Sequence, residues 1–213
     1  MLTYIKQFVY PSSCLFCGGD ATIEEVVCDQ CLRLGLLENP LESLEEDSFF
    51  VDKLSLFDFE LIQPVIHRLK YDSVFYETKN MLSVLHKDRD FREFVESFDI
   101  ITWVPLHWYR ALRRGYNQSQ IIGKSLETHK GQSCGLLKRD SYTKSQTHFD
   151  RVKRKQNVSG VFSVRKNRED LIAGKRILLV DDVCTTGATA RECGEVLLEK
   201  KAQAVSLLTL AQA

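Results

Sequence analysis

Two adjacent acids, Asp181 and Asp182, stand between an apolar run and a turn that contains threonine and glycine. The run over residues 177–180 has the continuous apolar character of a buried parallel strand. Carboxylates suit hydroxyl groups of a sugar and a Mg²⁺ ion, whereas threonine hydroxyls and the backbone N–H groups of a helix N-terminus suit a phosphate. The stretch therefore predicts a phosphate-binding strand–turn–helix unit, whose candidate residues are Asp181, Asp182, Thr185, Thr186, Gly187, Ala188 and Thr189.

The spacing differs from that of a P-loop, which has a longer loop and a lysine after its second glycine. It resembles instead the phosphoribosyl pyrophosphate (PRPP) signature of type I phosphoribosyltransferases. That resemblance implies an α/β fold with a parallel sheet flanked by helices. It also implies that the turn 185–189 holds the 5′-phosphate of PRPP, and that the catalytic pair Asp181 and Asp182 holds the ribose hydroxyls. An ordinary buried strand followed by a threonine-capped helix explains the apolar run, but not the adjacent acids.

Four cysteines near the start of the sequence form two C-x-x-C pairs, and each pair brings two thiolates toward one point. Two such pairs form a tetrahedral sulfur shell that suits Zn²⁺, and a shell filled by the protein is structural rather than catalytic. Two disulfides or reduced thiols without metal are the alternatives, but cysteines in a cytoplasmic chain favour metal. The predicted zinc ligands are Cys14, Cys17, Cys28 and Cys31.

Three parts are predicted along the chain of 213 residues. Residues 1–35 form the zinc module, residues 36–62 form an acidic linker with short strands, and residues 63–213 form the phosphoribosyltransferase-like domain. The linker contains a proline break and a run of acids. No apolar run approaches the length of a membrane span, and the first residues make a poor signal peptide, so the sequence predicts a cytoplasmic protein.

The elements of the third part follow from apolar spacing. The i, i+3, i+4, i+7 pattern from Ile62 to Leu69 predicts a helix, and a second helix is predicted near residues 76–86. Core strands are predicted over residues 99–104 and 202–210, and another helix is predicted after Asn117.

A basic loop follows the strand predicted over residues 99–104. Ligands bind at the carboxyl ends of strands in open α/β sheets, and arginine makes planar bidentate contacts with phosphate. Arg110 and Arg114 are therefore predicted to bind the pyrophosphate of PRPP together with Mg²⁺. A solvated basic loop is the alternative.

A narrower resemblance covers nearly the whole chain. The runs 104–107 and 114–118, with a block between Arg139 and Phe162, resemble the signatures of the ComF family of competence-associated, phosphoribosyltransferase-like proteins. A four-cysteine module ahead of a phosphoribosyltransferase domain is also that family's layout. The resemblance implies assistance to DNA uptake in natural transformation, with DNA-uptake machinery at the inner face of the membrane as a partner.

Charge is divided unevenly along a chain whose net charge is zero. Residues 105–176 are strongly basic and residues 1–104 are acidic. Positive charge follows a phosphate backbone and aromatic side chains stack on bases, so the basic segment predicts single-stranded DNA binding, unless it pairs with the acidic segment instead. The predicted DNA-binding residues are Arg113, Arg151, Lys153 and Arg154.

Two functions are compatible with these features. The first is a ComF-type protein that binds a PRPP-like ligand with Mg²⁺ and single-stranded DNA. The second is a metabolic phosphoribosyltransferase that acts on a base or small acceptor in nucleotide salvage. The sequence leaves open whether PRPP is turned over, because no base-binding hood is recognisable, and a PRPP sensor without turnover is a third option.

Overall fold

The structure is a computed structural model of the full chain. It describes residues 14, 17–20, 28, 30–31, 49–71, 82, 85, 88–106, 115–127, 131–140 and 160–213.

A parallel sheet forms the centre of the described part of the chain. Its order is β1-β7-β6-β2-β3, and every neighbouring pair is parallel. A separate antiparallel pair consists of β4 and β5. The strands are β1 (Lys53–Phe57), β2 (Ile100–Trp103), β3 (Gln132–Ser133), β4 (Leu137–Arg139), β5 (Phe162–Val164), β6 (Arg176–Cys184) and β7 (Ala204–Gln212).

Helices cover both faces of this sheet. One apolar core contains Ile62, Phe91 and Ile122, which lie on three different helices, whereas the other core contains Cys193 and Leu197 of a fourth helix. The β4–β5 pair packs into the second core through its apolar side chains. The helices are α1 (Phe59–Tyr71), α2 (Arg89–Glu96), α3 (Gln118–Ser125) and α4 (Ala188–Glu199).

The alternation of side chains along β6 explains why a continuous apolar run is needed there. Leu178 and Val180 belong to the first core, and Ile177 and Leu179 belong to the second. A strand buried on both faces has no position for a polar side chain, which is the usual situation in sheets wound on both sides. The predicted α/β fold with a parallel sheet flanked by helices is therefore confirmed.

Strand β6 extends further than the sequence predicted. The two acids were expected after the strand, yet β6 continues to Cys184 because β7 still pairs with it there, through Asp181 with Thr209 and Cys184 with Gln212. On its other side, pairing with β2 ends at Val180. The acids thus lie on a section of β6 that pairs with β7 but not with β2.

Most predicted elements are present where the structure describes the chain. The helix predicted from Ile62 to Leu69 is α1, and the strands predicted over residues 99–104 and 202–210 are β2 and β7. The predicted helix near residues 76–86 lies outside the described residues, apart from the buried Leu82 and Leu85. Helix α2 and the short strands β3, β4 and β5 were not predicted.

Strand β1 comes from the segment predicted to hold short strands, and it joins the main sheet beside β7. The boundaries of the three predicted parts stay a prediction. Among the described residues, no helix is both long enough and apolar enough to cross a membrane.

Candidate functional site

The carboxyl end of β6 lies at the point where the chain changes its direction of winding. From β2 the chain continues through α3 to β3 on one side, and from β6 it continues through α4 to β7 on the other side. Helices α3 and α4 pack into different cores, on opposite faces of the sheet. Crevices at such switch points are the usual ligand sites of open α/β sheets. The two acids lie at this crevice.

Hydrogen bonds fix the orientation of both carboxylates. Asp181 Oδ1 accepts from the Ser119 hydroxyl at 2.9 Å and from the backbone N–H of Asp182 at 2.9 Å. Asp182 Oδ1 accepts from the backbone N–H of Val183 at 2.9 Å. Two adjacent carboxylates held in this way form a preset pair of oxygen donors for a cation or for sugar hydroxyls.

The pKa of Asp181 reflects the environment of this pair. Burial of the carboxyl group, and then the charge of neighbouring Asp182, raises the pKa of Asp181 to about 8. The hydrogen bonds from the Asp182 backbone and from Ser119 act in the opposite direction and lower it. A positive charge at the site would favour the ionised form, so cation binding and proton release are coupled there.

A small pocket of about 60 Å³ lies beside the acids, at the N-terminus of α4. Gly187 occupies the N-cap position with φ of 70°, a left-handed conformation that glycine adopts without strain. The N-cap Gly187 provides no side-chain cap, and the N–H of Ala188 contacts Thr186 Oγ1 at 3.5 Å, so the positive end of the helix dipole faces the pocket. The pocket can therefore hold a phosphate-sized anion. Its lining includes Asp181, Thr185, Thr186, Gly187, Ala188 and Thr189.

Helix α3 supplies two side chains to the site that the sequence did not predict. The Asn117 side chain donates to the carbonyl of Val104 at 2.9 Å and accepts from the N–H of Ser119 at 3.1 Å. Asn117 thereby caps α3 and joins it to the end of β2. The Ser119 hydroxyl is consequently held within reach of Asp181, across the open side of β6. Both residues are buried.

The Ser119 hydroxyl should have a measurable effect on Asp181. Because its hydrogen bond stabilises the ionised carboxylate, Ser119→Ala is expected to raise the pKa of Asp181 further. Carboxyl-carbon NMR titration of Asp181 would measure the change. Ser125→Ala is a matched control, since the Ser125 hydroxyl donates to the Ile121 carbonyl on the same helix. An unchanged Asp181 pKa in Ser119→Ala would show that this contact has no electrostatic role.

The four cysteines meet at one point. The sulfur atoms of Cys14, Cys17, Cys28 and Cys31 all lie within 4.8 Å of one another. The Cys17 and Cys28 sulfurs are 3.8 Å apart, which is about the edge of a tetrahedron with metal–sulfur bonds of about 2.3 Å. The predicted ligand set is therefore brought together with a geometry that can hold a metal ion.

Backbone amides support the cysteine cluster. The N–H of Gly19 donates to the Cys17 sulfur at 3.4 Å, and the N–H of Cys28 donates to the Cys14 sulfur at 3.4 Å. Burial raises the pKa of the Cys31 thiol strongly, and hydrogen bonds from the other three thiols add to the increase. Four thiolates at this distance thus require the charge of a metal to stay ionised together.

Of the remaining site residues predicted from the sequence, the structure describes Asp182 but not the basic ones. Asp182 lies beside the pocket and bonds to the Val183 backbone, as described above. The basic residues assigned to pyrophosphate and to DNA lie outside the described residues, so their roles stay predictions. They are Arg110, Arg113, Arg114, Arg151, Lys153 and Arg154.

Comparison with known proteins identifies a matching domain family and several relatives of this chain. A model of the phosphoribosyl transferase domain matches residues 135–213, which include the acids and the small pocket. The chain is 26% identical to Competence protein F of Haemophilus influenzae over 98% of this chain and 87% of that protein. It is 29% identical to the DNA utilization protein YhgH of Escherichia coli over 92% of this chain and 82% of that protein. It is 27% identical to Competence protein ComFC of Bacillus subtilis over 92% and 76% of the two chains.

Proposed function

We propose that this chain, which belongs to the ComF family, binds PRPP with Mg²⁺ and single-stranded DNA and assists DNA uptake in natural transformation. The observation that most directly supports PRPP as the ligand is that two different subsites lie side by side at the end of β6. An anion pocket at the N-terminus of α4 lies directly beside an oriented pair of carboxylates. PRPP carries a phosphate next to a ribose in one molecule.

Each part of the site has one role in this proposal. Thr185, Thr186, Gly187, Ala188 and Thr189 hold the 5′-phosphate through hydroxyl and backbone N–H donors. Asp181 and Asp182 hold the ribose hydroxyls, and Arg110 and Arg114 hold the pyrophosphate.

The two metals that we propose fit the donors on the chain. Carboxylate oxygens are the donors that Mg²⁺ prefers, and a Mg²⁺ ion held near Asp181 would neutralise charge on the pyrophosphate. Four cysteine sulfurs in a tetrahedral arrangement suit Zn²⁺. The zinc site would be structural, because protein sulfurs fill every position.

If the site turns PRPP over, the chain acts by position and charge. Departure of pyrophosphate leaves positive charge on the ribose, and the fixed carboxylates Asp181 and Asp182 would stabilise that charge. The hydrogen bonds from Ser119 and from the Asp182 backbone hold one carboxylate in place before the reaction. No covalent intermediate with a side chain is required.

The role in DNA uptake is supported by the relatives and by charge. Two of the relatives are named as competence proteins and one as a DNA utilization protein, and the alignments cover nearly the whole chain. Residues 105–176 are strongly basic. Basic segments with aromatic residues bind single strands through phosphates and stacked bases. Arg113, Arg151, Lys153 and Arg154 are the proposed DNA contacts from this segment.

A metabolic phosphoribosyltransferase is the second candidate. The match of residues 135–213 to the phosphoribosyl transferase domain favours it as much as the first. Release of pyrophosphate in the presence of a free nucleobase, without any affinity for DNA, would favour this candidate over the first.

Calorimetric titration with PRPP tests the proposed ligand. We expect saturable binding at one site per chain in the presence of Mg²⁺, and a decrease of at least about tenfold in affinity when Mg²⁺ is replaced by EDTA. Ribose 5-phosphate, which lacks pyrophosphate, should bind more weakly and with little dependence on Mg²⁺. Absence of heat with PRPP at millimolar concentration would contradict the proposal.

A further inference from the structure

A second and much larger cavity lies at the β3 edge of the sheet. Its volume is about 580 Å³, and it runs beside edge strand β3, between α3 and the segment that follows β5. Residues of β3 pair with β2 on one side, and the cavity lies along this outer part of the sheet. We call it the edge groove. Within the described part of the chain it shares no lining residue with the small pocket at the N-terminus of α4.

The edge groove is positively charged. Lys124 of α3 and the pair Arg165 and Arg168 after β5 line it, and none of the described lining residues is acidic. Glu127 is not a lining residue, but its carboxylate accepts from the N–H of the lining residue Ser133 at 3.4 Å. Three cations from two separate parts of the chain line the groove, which suits a chain of phosphates rather than one ion.

One of these cations is fixed in place. Arg165 Nε donates to the carbonyl of Leu137 at 2.9 Å, which holds the guanidinium group against the end of the β4–β5 pair. A guanidinium that is already ordered loses less entropy when it binds a phosphate.

Aromatic side chains complete the edge groove. Trp103 forms part of its floor, where the indole ring packs tightly between two glycines. A Cβ atom at Gly123 would lie 3.0 Å from the ring, and one at Gly135 would lie 3.1 Å from it. Tyr116 lines the same groove and is only partly buried. An aromatic ring beside a line of cations is the combination that single-stranded nucleic acids bind.

From these features we infer that the edge groove is the path of single-stranded DNA, with Lys124, Arg165 and Arg168 on phosphates and Tyr116 against a base. The inference rests on the proposed DNA-binding function and names residues that the sequence-based prediction did not include. Since the groove and the small pocket share no described lining residue, Lys124, Arg165 and Arg168 lie outside the proposed 5′-phosphate subsite.

Paired variants of the full-length protein test the edge groove. Lys124→Ala with Arg168→Ala removes two cations and leaves the fixed Arg165 in place. The control is Arg89→Ala with Lys200→Ala, which removes the same charge from exposed surface pairs with Glu93 and Glu169. Fluorescence anisotropy with a labelled poly-dT strand of about 20 nucleotides is measured at several salt concentrations.

We expect the groove variant to bind the strand at least about tenfold more weakly than the control. The slope of log K against log salt should decrease in magnitude by about 1.4, because each of the two lost phosphate contacts on a single strand contributes about 0.7. Tyr116→Ala should weaken binding by about fivefold or more, whereas Tyr116→Phe keeps the ring and should bind nearly as the wild type does. PRPP affinity and melting temperature should stay unchanged in the groove variant.

The outcomes separate the inference from the proposed function. If the wild type binds no strand near 50 mM salt, the DNA part of the proposed function and the inference both fail. If the wild type binds and the groove variant equals its control, the inference fails and the proposed function stands. Inorganic phosphate and thymidine monophosphate serve as competitors. Displacement of the strand by either one at the same phosphate concentration would identify a small-anion site and overturn the strand path.

Discussion

Replacing Asp181 and Asp182 by asparagine is expected to reduce PRPP affinity in Mg²⁺ by at least about 100-fold while the domain stays folded. The loss follows from the removal of two negative charges that would face the cation and the ribose. Folding should survive because an asparagine side-chain oxygen can still accept the hydrogen bonds that Asp181 accepts from Ser119 and from the Asp182 backbone. Calorimetric titration and thermal unfolding measure the two effects.

Proton release on binding provides a second measurement at the same pair of acids. The pKa of Asp181 is raised to about 8, so its carboxyl group is mostly protonated near pH 7 in the unliganded protein. A bound cation would displace that proton. Titrations of the wild type at pH 7 in buffers of different ionisation enthalpy should show net proton release, whereas Asp181→Asn should release clearly fewer protons. PRPP affinity unchanged in the double variant would contradict the placement of the ribose.

The raised pKa also fixes the sign of a stability effect. A carboxyl group whose pKa is higher in the folded protein than in the unfolded chain favours folding most at low pH. Its contribution is lost as pH rises from about 4, the unfolded value, to about 8. The melting temperature of Asp181→Asn should therefore exceed that of the wild type near pH 8, and the difference should become smaller toward pH 5.

Extraction of the proposed zinc ion is expected to destabilise the whole domain rather than the N-terminal module alone. Cys14 belongs to the same buried core as Leu56 of β1 and Ile62 of α1, and Cys28 and Cys31 pack against that core. Structural zinc contributes about 10–16 kcal/mol in small peptides. A loss of only about 4 kcal/mol would lower the melting temperature of a protein of this size by roughly 8–16 °C.

Differential scanning calorimetry with and without a strong chelator measures this effect. Cys14→Ser should reproduce the decrease without chelator and should contain less zinc by elemental analysis. Cys134→Ala is the matched control, since Cys134 is also buried but lies in the other core and outside the cluster. A main transition that does not move after complete removal of zinc would show that the cluster and the sheet are energetically independent.

The sequence predicted well what lies close together along the chain. The stretch from Asp181 to Thr189 is continuous, so its strand, turn and helix were visible as one motif, and the two C-x-x-C pairs lie close enough in sequence to predict one shared site. Helix α1 was visible because its apolar residues repeat over two turns. Short strands such as β3, with two residues, carry too few positions for any alternation to be recognised.

Contacts between distant parts of the chain could not be predicted in the same way. Ser119 precedes Asp181 by 62 residues, and nothing in its own segment marks it as a partner of a carboxylate. The sequence predicted only that a helix follows Asn117. The edge groove could not be predicted for the same reason, because α3, β3 and the segment after β5 form it only when the sheet is assembled.

The position of β7 between β1 and β6 has a consequence for synthesis of the chain on the ribosome. Residues Leu54 and Leu208 are paired neighbours in the sheet although most of the sequence separates them. The ribosome makes β1 and β6 first, so each has an unpaired edge until β7 leaves the exit tunnel. Unpaired edges invite association with other chains, and pairings between distant residues form slowly. Nascent chains that stall before β7 should therefore depend on chaperones, and emergence of β7 should be the event that commits the chain to its fold.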